Sequence, residues 1–371
     1  MIARIGSLGW TMGAAAVFAV IVASLELVIR SLASRFPKPL DWHAWEAQHK
    51  VAAMQALAAE GGASVAFFGA SDVNAAADPD ALTSMLGSSR PAFNAALNGA
   101  TMRTLEPWAL SVVLPYLKPD LVVLGLHTYA LNDGSYGGKR GANKFRRSCG
   151  WQRHCPTPSP PQRLLLSLER HLYLIRYRRF LFEPTIARRR RFFRIRRFLS
   201  DPRYLFHTTR GNHATVSRLG VLDALWIFSG EGYSIPERMR AVWEEQYLND
   251  YRVGGEELAA FRRFVNGVRA SGAELLVILV PVTADWTALH PHGQRDEDDF
   301  LQLLDSTIAE AEIPFLDMNA EFTRLGHVEY FADPVHLNVN GRRYFTEGCF
   351  PRIQGLVVPD DPFALQRKPS V

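Results

Sequence analysis

The chain has 371 residues, a formal net charge of +5 and a hydrophobic content of 47%. This length is enough for one large domain or two small ones with a sizeable core. The hydrophobic content is typical of a globular protein, which argues against a largely disordered chain. The modest net charge conceals a strongly basic internal region.

The first predicted element is an apolar helix over residues 5–29, in which Glu26 is the only charged residue. About 20 apolar residues are enough to cross a bilayer as a helix. A cleaved signal peptide and a buried helix are the alternatives. Against cleavage, the apolar stretch is long and the LASRF that follows is a poor small-residue cleavage site. We predict an uncleaved membrane anchor over residues 1–38.

The orientation of this anchor is open. Only Arg4 precedes the apolar stretch, whereas three basic residues follow it by residue 38, an excess that would keep the body in the cytoplasm. Cys149 and Cys155 point the other way, because they are close enough in sequence to form a disulfide in an oxidising compartment. A zinc site would need further ligands, and only His154 is near, so no metal is predicted. Cys349 is expected to be a buried apolar residue.

The predicted core begins at residue 39 with a helix that ends at Gly61 and Gly62. Runs of strand character follow at residues 64–70, 121–127 and 274–281, with a weaker one from Ile313. Their apolar residues are consecutive, the pattern of parallel strands covered on both faces. Helical patterns lie between them, at residues 78–87, 104–117, 256–272 and 297–312. We therefore predict an α/β fold with a doubly wound, mainly parallel sheet.

A basic region interrupts this alternation. Residues 134–250 contain no clear strand, and residues 170–199 mix arginines with aromatic residues at helical spacing. We predict a largely helical insertion, or cap, between core segments 39–133 and 251–371. It lacks a recognised nucleic-acid motif and accompanies a membrane anchor, so no nucleic-acid partner is predicted. Binding to an anionic bilayer, to a polyanionic glycan or to a membrane partner, and simple packing on the core, remain open.

Polar residues follow the predicted strands. Ser71 ends the first run in GAS, Gly99 lies in the turn NAALNGAT, and Asn132 follows the second strand in ALND. Asp333 and His336 lie in DPVH, after the last strand. A serine nucleophile needs a histidine oriented by a carboxylate, and its oxyanion needs hydrogen-bond donors. Each residue alone has a purely structural alternative as a turn, a cap or a surface side chain, but the ordered set is rarer.

The ordered set resembles the SGNH/GDSL hydrolase superfamily, whose fold is flavodoxin-like. The motifs of that superfamily are matched here by Gly69-Ala70-Ser71, Gly99, Asn132, and Asp333 with His336. The resemblance implies a Ser-His-Asp triad, with an oxyanion hole formed by the N–H groups of Ser71 and Gly99 and the amide of Asn132. No metal or organic cofactor is implied.

The sequence departs from the superfamily pattern at two places. Ala70 replaces the usual aspartate, although membrane-anchored relatives often have a small residue there. Asn132 comes late after its strand, so that His127 or Thr128 is an alternative residue at the site.

The anchor, the small residue in the first motif, the large insertion and the C-terminal pattern DxxHLNxxG together resemble one branch of the superfamily. It includes the teichoic-acid D-alanyl transfer protein and the alginate O-acetylation proteins. This resemblance implies a single-pass inner-membrane protein anchored by residues 5–29, with its catalytic body in the periplasm. It also implies a polysaccharide and an acyl donor as partners, beside a multi-span membrane-bound O-acyltransferase.

We therefore expect a serine acyl-enzyme that transfers or hydrolyses O-acyl esters, acetyl first among them, on an envelope or exported polysaccharide. Two alternatives stay open: an esterase acting on small esters or lipids, and a non-catalytic scaffold of an acyltransferase complex. The residues do not distinguish hydrolysis from transfer.

Overall fold

The computed structural model describes most of the chain. The described residues are 2–33, 41–42, 44–155, 159–177, 215–223, 233–235, 237–325 and 328–357. They belong to two compact units, one comprising Met1–Asp41 with Cys155–His213 and the other Trp42–His154 with Ala214–Val371. The larger unit therefore includes both ends of the predicted insertion, while the arginine-rich run from residue 178 lies outside the described residues.

A five-stranded sheet forms the centre of the larger unit. The strands among the described residues are β1 (Val65–Phe68), β2 (Ala92–Asn94), β3 (Leu121–Leu126), β4 (Thr215–Val216), β5 (Leu222–Asp223), β6 (Glu274–Leu279) and β7 (Phe315–Asp317). The sheet order is β2-β1-β3-β6-β7 and every neighbouring pair is parallel, whereas β4 and β5 form a separate antiparallel ribbon. The predicted α/β class with a parallel sheet is confirmed.

Apolar side chains pack on both faces of this sheet. Along β1, Ala66 and Phe68 belong to one core cluster, while Val65 and Phe67 belong to the other. Strands β3 and β6 divide their residues between the same two clusters. Successive side chains of a strand point to opposite faces, so a strand buried on both sides needs an unbroken apolar run.

Helices connect the strands of the larger unit. They are α2 (Trp45–Ala59), α3 (Ser71–Ala76), α4 (Pro79–Leu86), α5 (Met102–Trp108), α6 (Leu114–Leu117), α7 (Tyr136–Arg146), α8 (Cys149–His154), and then Glu237–Val242, Gly255–Ala270, Ala284–Ala288, Gln294–Glu310, Met318–Leu325 and Val339–Val357. Short π-helical segments, Ala109–Val113 and Trp243–Leu248, continue two of them, and 3₁₀ turns span Thr128–Leu131 and Val328–Tyr330. The four helical patterns between the predicted strands all correspond to helices.

The smaller unit contains the apolar N-terminal helix. The helices described in this unit are α1 (Ile2–Leu32), α9 (Pro160–His171) and α10 (Tyr173–Arg176). Within α1, the segment Gly13–Leu32 is long and apolar enough, by length and composition, to cross a membrane. The carboxylate of Glu26 accepts the N–H groups of the first two residues of α10, at 2.7 and 2.8 Å. The single acid of the apolar helix is therefore satisfied by backbone donors.

None of the three cysteines is in a disulfide. The disulfide that the sequence allowed between Cys149 and Cys155 is therefore not formed in this structure. Cys349 is 1% exposed in the core, as expected, and its burial raises the pKa of the thiol well above its ordinary value.

Candidate active site

Ser71 lies where β1 gives way to α3. The strand ends at Phe68, and two small residues, Gly69 and Ala70, lead to Ser71 as the first residue of the helix. A Cβ on Gly69 would lie only 2.2 Å from Cγ2 of Val73, so a side chain does not fit there. This tight connection places Ser71 at the carboxyl edge of the sheet, where parallel α/β sheets bind their ligands.

Ser71, His336 and Asp333 form one continuous chain of hydrogen bonds. Nε2 of His336 lies 2.8 Å from Oγ of Ser71, and Nδ1 lies 2.8 Å from each carboxylate oxygen of Asp333. Because an ionised carboxylate only accepts, Nδ1 of the neutral ring carries the proton and the serine hydroxyl donates to Nε2. The structure thus brings together the three residues that the sequence suggested as a triad.

The Asp-x-x-His segment is a turn that the aspartate itself stabilises. Oδ1 of Asp333 accepts the N–H groups of Val335 and His336, both at 3.0 Å. Asp333 and His336 are 6% and 2% exposed, so their interaction is largely screened from water. One short loop therefore supplies both a base and the carboxylate that orients it.

The residues after His336 attach this turn to the serine helix. Oδ1 of Asn338 accepts two of the first N–H groups of the helix Val339–Val357. From that helix, Nε of Arg342 donates to the carbonyl of Ala75 in α3, at 2.9 Å. Asn338 is the asparagine of the DxxHLNxxG pattern, but its capping role was not predicted from the sequence, although an asparagine before a helix is a common cap. Arg342 was not singled out.

Gly99 lies in a turn close to the serine connection. Its φ of +67° is in the left-handed region that favours glycine. The N–H of Leu97 donates to the carbonyl of Gly69 at 3.0 Å and so joins this turn to the connection before Ser71. Among the described residues, no hydrogen bond engages the N–H of Ser71 or of Gly99. Two backbone donors are therefore available for a ligand oxygen.

Asn132 is fully buried and engaged in other contacts. It follows the 3₁₀ turn Thr128–Leu131, which carries the chain away from the end of β3. Its amide donates to the carbonyl of Tyr247 at 2.7 Å, and its oxygen accepts the N–H groups of Gly134 and Arg252, both at 2.9 Å. These contacts join two chain segments, and no described contact of Asn132 reaches Ser71 or His336. Its predicted place in the oxyanion hole stays a prediction.

A second acid and a second histidine lie next to the triad. Asp72 is 2% exposed, and its Oδ1 accepts the N–H of Ala70 at 3.1 Å. Its Oδ2 lies 3.4 Å from Nε2 of His127. Among the described residues, Asp72 Oδ2 and His127 Nδ1 are buried atoms without a hydrogen-bond partner. Burial raises the pKa of Asp72 to about 6 and lowers the pKa of His127 well below its ordinary value.

The sequence offered a signal for one half of this pair. His127 directly follows β3, the neighbour of β1, so both residues reach the same edge of the sheet. His127 was an alternative to Asn132 at the site, whereas Asp72 was overlooked. Thr128, the other alternative, is engaged elsewhere: its Oγ1 lies 2.9 Å from ring nitrogens of Trp286 and His290.

A cluster of aromatic residues packs beside the serine connection. Ala70 is buried in it with Tyr129, Trp243, Trp286 and Val335, the last of these from the Asp-x-x-His turn. Trp243 comes from the end of the predicted insertion. A larger acidic residue at position 70 would have to fit among these rings, which gives a packing reason for the small residue at this position.

The described residues contain no group of three or more histidine, cysteine, aspartate or glutamate side chains arranged to hold a metal ion. A scan of protein-family models gives no match to the chain, and a search of curated proteins finds no significant relative.

Proposed function

We propose that this protein is a membrane-anchored serine acyl-enzyme that transfers or hydrolyses O-acyl esters on a cell-envelope or exported polysaccharide. The observation that carries the proposal is the hydrogen-bonded chain Ser71–His336–Asp333, in which a buried carboxylate orients an imidazole against a serine hydroxyl at a helix N-terminus. This is the arrangement that activates a serine for attack on an ester carbonyl.

The first half-reaction forms the acyl-enzyme. Oγ of Ser71 bonds to the ester carbonyl carbon while its proton passes to Nε2 of His336, and the carbonyl electron pair moves onto oxygen. The N–H groups of Ser71 and Gly99 are the donors proposed for that oxyanion. When the carbonyl re-forms, the C–O bond to the leaving alcohol breaks and the alcohol takes the proton from Nε2. Asp333 stabilises the imidazolium between these two steps.

The second half-reaction releases the acyl group. Water or a sugar hydroxyl gives its proton to Nε2 and attacks the acyl carbonyl, and Ser71 then recovers its proton as it leaves. Water yields hydrolysis and a sugar hydroxyl yields transfer.

The substrate class and the cellular location rest on the resemblance to the SGNH/GDSL superfamily and its membrane-anchored branch. In support, the parallel sheet has its serine at the carboxyl edge of β1, and α1 is apolar over the length of a bilayer. An outward-facing body beside a membrane-bound O-acyltransferase would give the basic insertion an anionic glycan or a membrane partner to bind.

The test is covalent labelling of the full-length protein in native membranes, where any membrane partner is present. A fluorophosphonate should label the wild type, with the adduct at Ser71 by mass spectrometry, and the membranes should turn over 4-nitrophenyl acetate. Ser71→Ala should abolish the label and lower turnover by about a thousandfold or more. Ser84→Ala, on the exposed face of α4, is the matched control and should behave as wild type.

Two outcomes would redirect the proposal. A folded wild-type protein without label or turnover in its own membranes would support the scaffold alternative. A labelled enzyme that cleaves lipid or small esters but leaves acylated polysaccharide unchanged would support the esterase alternative.

A further inference from the structure

The N–H groups of Ser71 and Gly99 are the proposed backbone donors for an oxyanion, and the sequence predicted a side-chain donor beside them. Asn132, the predicted third donor, gives its amide to the carbonyl of Tyr247 at 2.7 Å. The residue that accepts this hydrogen bond, Tyr247, has its own side chain close to Gly99.

The phenol of Tyr247 lies over Gly99. A Cβ built on Gly99 would come within 2.7 Å of the Tyr247 hydroxyl oxygen and within 3.6 Å of the ring carbon that bears it. The side chain is half-buried, and within the described part of the chain its hydroxyl makes no hydrogen bond. A phenol can both donate and accept, so an unused one beside the Gly99 turn is available to a ligand.

Contacts to both the backbone and the ring hold Tyr247 in place. The residue lies in the π-helical segment Trp243–Leu248, and such segments are frequent at functional sites. Its ring packs edge-on against Tyr129 with centroids 5.6 Å apart. A Cβ on Gly137 would meet Cε1 of the Tyr247 ring at 3.0 Å, so α7 also packs closely against this ring. The Asn132 hydrogen bond completes this support.

We propose that the hydroxyl of Tyr247 donates to the carbonyl oxygen of the acyl group as that oxygen becomes anionic, beside the N–H groups of Ser71 and Gly99, and that Asn132 acts by positioning Tyr247. This inference rests on the proposed acyl-enzyme function. The proton stays on the phenol throughout, so the two half-reactions need no additional proton transfer. Burial raises the pKa of Tyr247, which keeps the phenol protonated at neutral pH.

The test compares Tyr247→Phe with the wild type as full-length protein in detergent micelles, using 4-nitrophenyl acetate. The phenylalanine keeps the ring and removes only the hydroxyl. We expect kcat to fall by about 10- to 100-fold with KM changed less than about twofold, since the lost hydrogen bond is strongest in the transition state. The thermal midpoint should stay at the wild-type value.

Tyr251→Phe is the matched control. This tyrosine belongs to the same aromatic cluster, but its hydroxyl is already used as a donor to the carbonyl of Thr128 at 2.9 Å. Removal of that hydroxyl should lower the thermal midpoint by about 2–4 °C and leave kcat near the wild-type value.

A double-mutant cycle tests the positioning role of Asn132. Asn132→Ala should lower kcat in the wild type and should have much less effect on kcat when Tyr247 is already phenylalanine. Equal effects in the two backgrounds would show that Asn132 does not act through Tyr247.

Failure of this inference is distinguishable from failure of the proposed function. If Ser71 is labelled by the fluorophosphonate and Tyr247→Phe keeps the wild-type kcat, the tyrosine is not an oxyanion donor although the acyl-enzyme proposal stands. If wild-type Ser71 is not labelled and no ester is turned over in native membranes, both are overturned.

Discussion

Ser71 lies next to two histidine–carboxylate pairs. It forms a hydrogen bond with His336 of the first pair, and Asp72 of the second pair is the next residue in the chain. His336 and Asp333 satisfy each other at 2.8 Å, whereas Asp72 and His127 face each other at 3.4 Å with one buried polar atom on each left unpaired. A buried carboxylate without enough donors destabilises the fold when it is ionised. The Asp72 pair is therefore expected to lower stability at neutral pH.

Replacement of Asp72 by asparagine should reveal this loss of stability. Burial raises the pKa of Asp72 from 3.8 to about 6. Between these values the folded protein holds a proton that the unfolded chain has lost, so the contribution of Asp72 to stability falls as pH rises through this window. Above pH 6 the ionised carboxylate destabilises the fold by up to about 3 kcal/mol. Asp72→Asn should therefore be more stable than wild type at pH 7–8, and this gain should vanish towards pH 4.

The measurement is the thermal midpoint of both proteins from pH 4 to pH 8. The titratable groups that interact with Asp72 are His127, His336 and Tyr129, and they are present in both proteins, so their own titrations largely cancel in the difference. A difference in midpoint that does not change with pH would show that burial does not raise the pKa of this carboxyl.

At the scale of elements, a buried polar network joins α2 to the Gly99 turn. Lys50, on α2, is 0% exposed, and its Nζ donates to Oδ1 of Asn74 at 2.8 Å and to the carbonyl of Ala96 at 2.5 Å. The carboxylate of Glu46 accepts the amide of Asn74 at 2.6 Å and the N–H of Asn98 at 3.1 Å. The network thus fixes α3 and the residue before Gly99 against the same helix.

Lys50→Met should be strongly destabilising. Methionine fills a similar volume, but it leaves the carboxylate of Glu46 buried without its cation and leaves two acceptors of the network unpaired. We expect the free energy of unfolding to fall by about 3–5 kcal/mol in chemical denaturation. Lys144→Met, on the exposed side of α7, is the matched control and should change it by less than about 0.5 kcal/mol.

A second variant separates the charge from the shape of the side chain. Glu46→Gln combined with Lys50→Met removes both charges and should recover part of the lost stability. If the free energy of unfolding of Lys50→Met lies within about 1 kcal/mol of the wild-type value, the ion pair and its hydrogen bonds contribute little to stability.

Local patterns in the sequence were enough to predict the parallel sheet and the Asp-x-x-His turn. Each of these depends on residues close together in the chain: consecutive apolar residues for a strand covered on both faces, and a three-residue spacing for a single turn. Strand β2 was missed because Ala92–Asn94 is too short to show a period. The contact from Lys50 to Ala96 was also missed, since no local pattern indicates a hydrogen bond across 46 positions.

Asn132 shows a second limit of prediction from the sequence. The order of residues along the chain predicts which side chains reach the carboxyl edge of the sheet, but not the direction in which an amide points. The 3₁₀ turn after β3 and the isolated bridge to Val253 turn Asn132 towards the insertion. Tyr247, which comes from that insertion, could not be identified from strand–helix alternation.

At the scale of the whole molecule, the proposed function depends on the side of a membrane on which the candidate site would lie. An acid inside an apolar helix is costly in a bilayer unless it is satisfied, and Glu26 accepts two backbone N–H groups from Tyr173 and Leu174. The segment Gly13–Leu32 is therefore compatible with a spanning helix despite its acid. The charge distribution favours a cytoplasmic body, whereas a polysaccharide substrate requires an outward-facing one.

We predict that the body faces the periplasm, and reporter fusions to the C-terminus of the full chain test this in a Gram-negative host. Alkaline phosphatase folds only outside the cytoplasm, and green fluorescent protein exported in unfolded form is dark. We expect an active phosphatase fusion and a dark fluorescent fusion, both retained in membranes after alkaline carbonate washing. Replacing Arg30, Arg35 and Lys38 by alanine removes the charges that oppose this orientation, and phosphatase activity should be unchanged or higher.

The opposite pattern has a definite consequence. A fluorescent fusion with inactive phosphatase would place Ser71 in the cytoplasm, where exported polysaccharide is not its acceptor. The hydrogen-bonded triad would still predict a serine acyl-enzyme, because its chemistry does not depend on compartment. Its substrates would then have to be cytoplasmic esters or lipids of the inner leaflet. A changed orientation in the alanine variant would show that Arg30, Arg35 and Lys38 determine the orientation of the protein.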